Sequence, residues 1–116
     1  MDATSRRTGL VVSTAFAEHL TGPGHPERPD RTTAIVERLE ADGLLARARM
    51  IEPRHATDDD ILRCHTPAYL EVVKKDVAGG AQRLSTGDTP LSARSLETAR
   101  LAAGGVLAAV DAVMDG

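Results

Sequence analysis

The apolar residues of the C-terminal part of the chain recur at intervals of three and four, the spacing of one helix face. The repeat runs from about Ser95 to Asp115, and Gly116 follows it as a candidate C-cap. We therefore predict a long helix over 95–115, whose apolar arc is wide and needs another element to cover it. The apolar positions are Leu96, Ala99, Ala103, Val106, Val110 and Val113, with Leu107 and Met114 beside them.

Two short apolar runs upstream have the composition of buried strands. The first, Gly9–Thr14, is nearly continuous, as in a strand of a parallel sheet. The second, Arg49–Pro53, is stopped by its proline, which cannot donate to a ladder. Between them a helical stripe begins at Pro29 and ends at about residue 42, where Gly43 is a candidate C′ glycine. The order strand, helix, strand predicts an α/β fold.

Two further helix starts follow, each marked by a threonine. Thr57 precedes three aspartates, which suit the positive end of a helix dipole. Thr66 precedes Pro67, a favoured first helical residue, and that helix should end at Gly79–Gly80, before a polar loop over 81–90. Two strands do not make a stable sheet alone. We therefore predict a helix-rich, incomplete α/β unit, the front of a larger domain.

The composition fits one small domain without a basic face. The chain has 116 residues, a formal charge of −3 and a pI near 5.7, which argues against a nucleic-acid or anionic-membrane binder. A single cysteine excludes an internal disulfide, and no apolar run reaches the length of a membrane span. We expect a cytoplasmic protein with a loose N-terminus over residues 1–8. The abundance of Arg, Ala and Gly indicates a GC-rich bacterial genome.

A stiff, charged loop joins the first strand to the first helix. Pro23, Pro26 and Pro29 recur at three-residue intervals between Thr21 and Arg31 and leave the backbone little freedom. Loops of fixed shape tend to carry function. Arg31 falls in the first turn of the predicted helix, where a cation opposes the dipole. We expect a compensating role for it, either buried pairing with an acid or the lining of a polar cavity.

The histidines and the cysteine are the obvious candidates for a metal site, but their spacing does not favour one. No two of them have the i, i+4 or C-x-x-C spacing that places two ligands on one face. Adjacent Cys64 and His65 would point about 100° apart on a helix, which also disfavours a cysteine nucleophile with a histidine base. The candidates are His19, His25, His55, His65 and Cys64.

Two glycine-containing segments have both a structural and a functional explanation. Thr21–Gly24 leads into a helix N-terminus, as phosphate cradles do, yet it lacks the phosphate-loop spacings and Pro23 removes an amide donor. Gly104 and Gly105 would each cost about 1 kcal/mol relative to Ala inside a helix. Their presence indicates close backbone packing or a cavity wall, and the structural explanation is favoured.

Taken in order, five segments of the chain resemble the N-terminal part of the histone deacetylase superfamily, in its class II and bacterial acetylpolyamine-amidohydrolase-like branch. The His-Pro-Glu-x-Pro-x-Arg pattern of His25–Arg31 carries most of this resemblance, which covers nearly the whole chain. A small departure is Ala93, where relatives usually have a proline after the serine. The segments are Gly9–Ser13, Thr21–Arg31, Cys64–Leu70, Asp88–Ser92 and Ala102–Val113.

The resemblance implies an arginase/deacetylase fold, a parallel sheet with flanking helices, in which a zinc-bound water attacks an acetyl-lysine-like or acetylpolyamine amide. Residues 1–116 would form the N-terminal segment of one such domain. The loop Gly22–Pro29 would lie at the rim of the substrate tunnel, and Arg31 would face an internal channel behind the metal. The expected rim residues are Gly24, His25, Pro26, Glu27 and Arg28, and the expected channel residues are Arg31, Gly104 and Gly105.

The resemblance also implies that the family's zinc ligands and transition-state tyrosine correspond to positions beyond residue 116. We therefore expect no catalytic residue and no metal ligand among these residues, and no deacetylase activity from the chain alone. The alternative is a truncated, non-catalytic relative that folds by association and acts through binding. In both cases the uncovered last helix favours self-association. The substrate would be an acetylated lysine or polyamine-type amide, and the sequence does not distinguish between them.

Overall fold

A computed structural model describes residues 8–116 of the chain, and its first two strands form a short parallel β-pair. Strand β1 (Gly9–Leu10) pairs with β2 (Arg49–Met50) in the register Gly9 to Arg49 and Leu10 to Met50. The backbone N–H of Arg49 donates to the carbonyl of Thr8 at 2.9 Å. The carbonyl of Thr8, the residue before β1, thus takes part in the pairing. Residues 1–7 lie outside the described range, and the loose N-terminus over 1–8 stays a prediction.

Both strands are shorter than the sequence predicts, and each is ended by its neighbours. After β1, Ser13 accepts a hydrogen bond from the N–H of Ala15 at 3.1 Å and caps a short 3-10 helix, Thr14–Glu18. After β2, Pro53 has no N–H to offer the ladder. The predicted strand over Gly9–Thr14 is therefore wrong in its last four residues, although its start and its parallel pairing are confirmed.

The first crossover contains the predicted helix and one that the sequence does not predict. Helix α1 (Pro29–Ala41) ends one residue before Asp42, and Gly43 then takes a positive φ of 73°. That backbone conformation favours glycine and confirms the predicted C′ position. Gly43 is also the N-cap of helix α2 (Leu44–Arg47). The four residues of α2 are too few to show an apolar period.

Three more helices complete the described chain, with bounds close to those predicted. Helix α3 (Asp58–Leu62) is capped by Thr57, helix α4 (Pro67–Ala78) by Thr66, and helix α5 (Ser95–Asp115) runs to the C-cap glycine. The 3-10 helix packs against both α1 and α5, and α4 packs against α3 and α5. The predicted loop over 81–90 also forms an antiparallel bridge between Arg83 and Pro90.

Helix α5 lies unusually close to the segment that follows β2. A Cβ added at Gly104 would be 1.6 Å from the carbonyl oxygen of Arg54 and 2.8 Å from the backbone nitrogen of Ala56. At Gly105 the added Cβ would be 3.0 Å from a Val11 methyl group. The N–H of Ala56 donates to the carbonyl of Arg100 at 2.9 Å across the same contact. Gly104 therefore serves close backbone packing, as the structural explanation predicts, whereas Gly105 lets neighbouring side chains approach the helix.

A cluster of ion pairs links the start of α3 to α4 and α5. Asp58 accepts from Lys74 of α4 at 2.8 Å and from Arg100 of α5 at 2.5 Å, and Arg100 also donates to the Ala56 carbonyl at 3.1 Å. The hydrogen bond from Lys74, then the one from Arg100, holds the pKa of Asp58 below its ordinary value. The same contact with Asp58 raises the pKa of Lys74.

The hydrophobic core of the described residues is small, and one helix face remains uncovered. The buried apolar residues are Ala56, Leu70 and Leu84. By contrast, Val106, Val110, Val113 and Met114 of α5 are 64%, 52%, 79% and 78% exposed. The radius of gyration is 16.5 Å, against about 13 Å for a compact domain of this length. The prediction of an incomplete α/β unit with an uncovered last helix is confirmed.

Replacing Gly104 by alanine should destabilise the chain, although alanine favours helix by about 1 kcal/mol. The new Cβ would overlap a backbone carbonyl, which cannot rotate away as a side chain does. We expect a loss of about 2 kcal/mol or more in the free energy of unfolding, measured by urea denaturation. Gly87→Ala is the control, because an added Cβ there meets no atom within 4 Å. Equal stability of the two variants would contradict the close approach.

Asp58→Asn should lower the melting temperature near neutral pH more than Asp59→Asn, its neighbour in the first turn of α3. Because folding lowers the pKa of Asp58, its contribution is complete above the ordinary aspartate range and is lost as the pH falls through the lowered value. The difference between the variants should therefore shrink below about pH 4. Thermal melts across a pH series measure it, and a constant difference would contradict the assignment.

Candidate functional site

The loop between the 3-10 helix and α1 is shaped by a tight turn at its tip. Gly22 and Gly24 have φ values of +92° and +78°, and the N–H of His25 donates to the carbonyl of Gly22 at 3.4 Å. With Pro23 second and a positive-φ glycine third, these four residues match a type II turn. The spacing of proline and glycine thus sets the direction in which the chain leaves the turn.

Glu27 holds the rest of this loop together through both its backbone and its side chain. Its carbonyl accepts from the Thr21 hydroxyl, and its N–H donates to Nδ1 of His25 at 3.0 Å. Its carboxylate forms an ion pair with Arg31, one helical turn further on. Nδ1 of His25 also lies 3.1 Å from the Glu27 carbonyl oxygen, so both backbone polar groups of Glu27 face this imidazole nitrogen.

Arg31 is paired with an acid, as predicted, but the pair is not buried. The side chains of Arg31 and Glu27 are both 58% exposed. The other two residues expected at a channel are Gly104 and Gly105. Gly104 lies against the backbone of Arg54 and Ala56. Gly105 lies against the side chains of Val11, Pro53 and Phe16. In the described chain, Arg31 therefore joins this loop through its ion pair with Glu27, and both the rim role of the loop and a channel formed with the two glycines stay predictions.

A groove of about 790 Å³ lies between the 3-10 helix, α3, α4 and α5. Most of its wall is apolar, but three candidates from the sequence, His19, Cys64 and His65, also line it. The ring of His65 stacks on Tyr69 with centroids 5.2 Å apart, which accounts for one of these histidines by packing. Cys64 is exposed.

Zinc does not fit the side chains that the structure describes. Within residues 8–116, no three His, Cys, Asp or Glu side chains come together in a group suited to hold a metal ion. His19 and His25 each use Nδ1 in a hydrogen bond within the protein. The groove therefore presents apolar surface, and the loop presents hydrogen-bonding groups, but neither provides a metal site.

A polar cluster at the root of the loop, residues 18–20 just before Thr21, is the feature that sequence analysis missed. Ser92 and Ser95, at the start of α5, contact His19 and the backbone on either side of it. Ser95 is 6% exposed, and its hydroxyl lies 2.6 Å from Nδ1 of His19. The sequence contains only an indirect signal, the serine at the end of Asp88–Ser92 just before a helix start.

These elements define an α/β chain in which helices flank a small parallel sheet and a rigid loop precedes the first helix. The sequence profile of the histone deacetylase domain matches residues 25–116, most of the described chain. The chain therefore belongs to the histone deacetylase family. The crystal structure of the HDA15 HD domain superposes on it with a TM-score of 0.74 and 27% identity, over 86% of this chain and 30% of that one. The predicted fold and family are confirmed.

Curated relatives come from bacteria, archaea and animals. A histone deacetylase-like amidohydrolase of Pseudomonas aeruginosa is 41% identical over 97% of this chain and 34% of its own length. A probable deacetylase of Archaeoglobus fulgidus is 30% identical over 93% of this chain and 30% of its own length. Human polyamine deacetylase HDAC10 is 34% identical over 78% of this chain and 14% of its own. The chain thus spans a minor part of the relatives that it matches.

The lengths and compositions of the helices also bear on whether the described chain could cross a membrane. None of the described helices combines the length and the apolar character that crossing a bilayer requires.

Proposed function

We propose that residues 1–116 form the N-terminal segment of a zinc-dependent deacetylase domain that hydrolyses an acetyl-lysine-like or acetylpolyamine amide. The observation that carries this proposal is the family match, which begins at His25 and runs to the end of the chain. The names of the relatives, an amidohydrolase in one case and a polyamine deacetylase in another, support amide hydrolysis. They leave both substrate classes open.

In this proposal the described residues supply scaffold, tunnel rim and channel. Gly24 to Arg28 form the rim, supported by a turn and a set of contacts through Glu27 that fix their shape without a ligand. Arg31 and the close-packed glycines Gly104 and Gly105 face the channel. A guanidinium suits such a place because its planar donors bind backbone carbonyls or a departing acetate.

The chemistry of zinc would come from outside the described residues. When bound, zinc activates water and polarises an amide carbonyl, but residues 8–116 do not gather a ligand set for it. We therefore propose that the chain alone binds no catalytic zinc and hydrolyses no acetyl amide. Purified chain, incubated with zinc and with an acetyl-lysine peptide or an acetylpolyamine, tests this directly, and turnover of either substrate would overturn it.

The positive test is a chimaera in which this chain replaces the matching segment of the Pseudomonas amidohydrolase. If the chain supplies rim and channel, the chimaera should show zinc-dependent deacetylase activity. Arg31→Ala in the chimaera should then lower kcat by about 10- to 100-fold, the worth of one hydrogen bond from a charged group.

Arg38→Ala is the matched control for that experiment. Arg38 lies on the same helix, and its side chain is 79% exposed in an ion pair with Asp42 at 3.0 Å. Exposed pairs of this kind contribute little, so kcat should stay near that of the parent chimaera. An equal loss in both variants would mean that Arg31 acts through helix stability and not through a channel.

A second candidate function, a non-catalytic association module, is favoured by the exposed face of α5. Val106, Val110, Val113 and Met114 present apolar surface on a single helix, and such surface associates in water. The occupant in this case is a second copy of the chain.

Sedimentation of the purified chain over a concentration series measures that association. We expect a concentration-dependent dimer that Val110→Asp shifts at least about tenfold toward monomer, since the change places a charge in the apolar contact. Asp111→Asn, the adjacent residue on the same helix, is the control and should leave the equilibrium unchanged. A monomer at all concentrations would rule out self-association and leave the first proposal standing.

A further inference from the structure

The polar cluster at the root of the rim loop contains more hydrogen-bonding contacts than its serines and amides can supply with protons. Its two hydroxyls lie 3.1 Å apart, and Ser95 Oγ also lies 2.6 Å from Nδ1 of His19. Ser92 donates from its backbone N–H to Ser95 Oγ at 2.7 Å. The N–H of Leu20 donates to Ser92 Oγ at 3.0 Å, and Ser92 Oγ lies 3.4 Å from the carbonyl of Glu18.

Each of these five contacts needs one proton. The amides of Ser92 and Leu20 provide two, and the two hydroxyls provide one each. Ser92 Oγ donates to the Glu18 carbonyl and accepts from Leu20 and from the Ser95 hydroxyl, so its capacity is full. Ser95 Oγ donates to Ser92 and accepts from the Ser92 amide, which leaves one lone pair. The fifth proton must therefore come from Nδ1 of His19.

We propose that His19 is a positioning residue that carries its proton on Nδ1 and thereby closes this network, fixing Leu20 against the start of α5. Leu20 leads directly into the loop that begins at Thr21. The network thus holds the root of that loop while Glu27 holds its body. The opposite arrangement, with Ser95 donating to His19, would leave one of the Ser92 hydroxyl contacts without a proton. That the loop is a substrate-tunnel rim rests on the proposed function; the network itself does not.

The protonated nitrogen of each histidine in the isotope-labelled chain is read from long-range ¹H–¹⁵N correlation spectra at about pH 8.5, above the ordinary histidine range. We expect His19 to carry its proton on Nδ1. A proton on Nε2 of His19 in the wild-type chain would overturn the proposal without any variant.

Amide exchange at Leu20 then measures positioning. Loss of a hydrogen bond in this network should speed that exchange by about tenfold in His19→Leu and in Ser95→Ala. His19→Asn should keep a rate close to wild type, because the asparagine amide can still donate to Ser95. Ser85→Ala removes a serine that bonds Asp76 outside the network and should leave Leu20 unchanged.

The outcomes separate this inference from the proposed function. Equal exchange in His19→Asn and His19→Leu would mean that the donor does not matter, and would overturn the positioning role. An inactive chimaera with the expected tautomer and exchange rates would instead count against the deacetylase proposal alone.

Discussion

The close approach of α5 to the backbone at Arg54–Ala56 is the constraint on which most of the described structure depends. Only a glycine at 104 allows it, because any Cβ would overlap the Arg54 carbonyl. Once the helix is there, the Ala56 amide reaches the Arg100 carbonyl and the Arg100 guanidinium reaches both Ala56 and Asp58. One backbone contact therefore determines where β2 leads and where α3 begins. The ion pairs secure that position, but they do not create it.

The same helix also determines the position of the loop that precedes α1. Ser95 lies in its first turn, and Ser92 lies just before that turn. The hydroxyls of these two serines make hydrogen-bonding contacts with the segment around His19. The loop is therefore held at its root by α5, at its tip by the turn at Gly22–His25, and at its exit by the Glu27–Arg31 pair. A loop fixed at three points does not need a ligand to hold its shape, which is what a tunnel rim requires.

Much of this arrangement is present in the sequence, because local signals and local structure coincide. Proline and threonine mark the starts of α1 and α4, Gly43 marks the end of α1, and the glycine pair at 104–105 indicates tight packing before its partner is known. The apolar runs predict longer strands than the structure has. The length of a strand depends on the segments that pair with it and follow it, and an apolar run contains no information about them. The network around His19 was missed for the same reason: it joins residues more than seventy positions apart. Pairings over such separations leave no periodic signal.

The uncovered face of α5 connects the fold to both proposed functions. A helix buries its apolar arc only against another layer, and the described residues place β1 and Phe16 beside that arc without covering it. In the proposed deacetylase domain, residues beyond those described would cover this face and would also complete the site beside the loop. In an association module, a second copy would cover the same residues. The two functions thus compete for one surface, so a charge placed at Val110 should weaken the chimaera and the dimer alike, whereas Arg31 matters only to the enzyme.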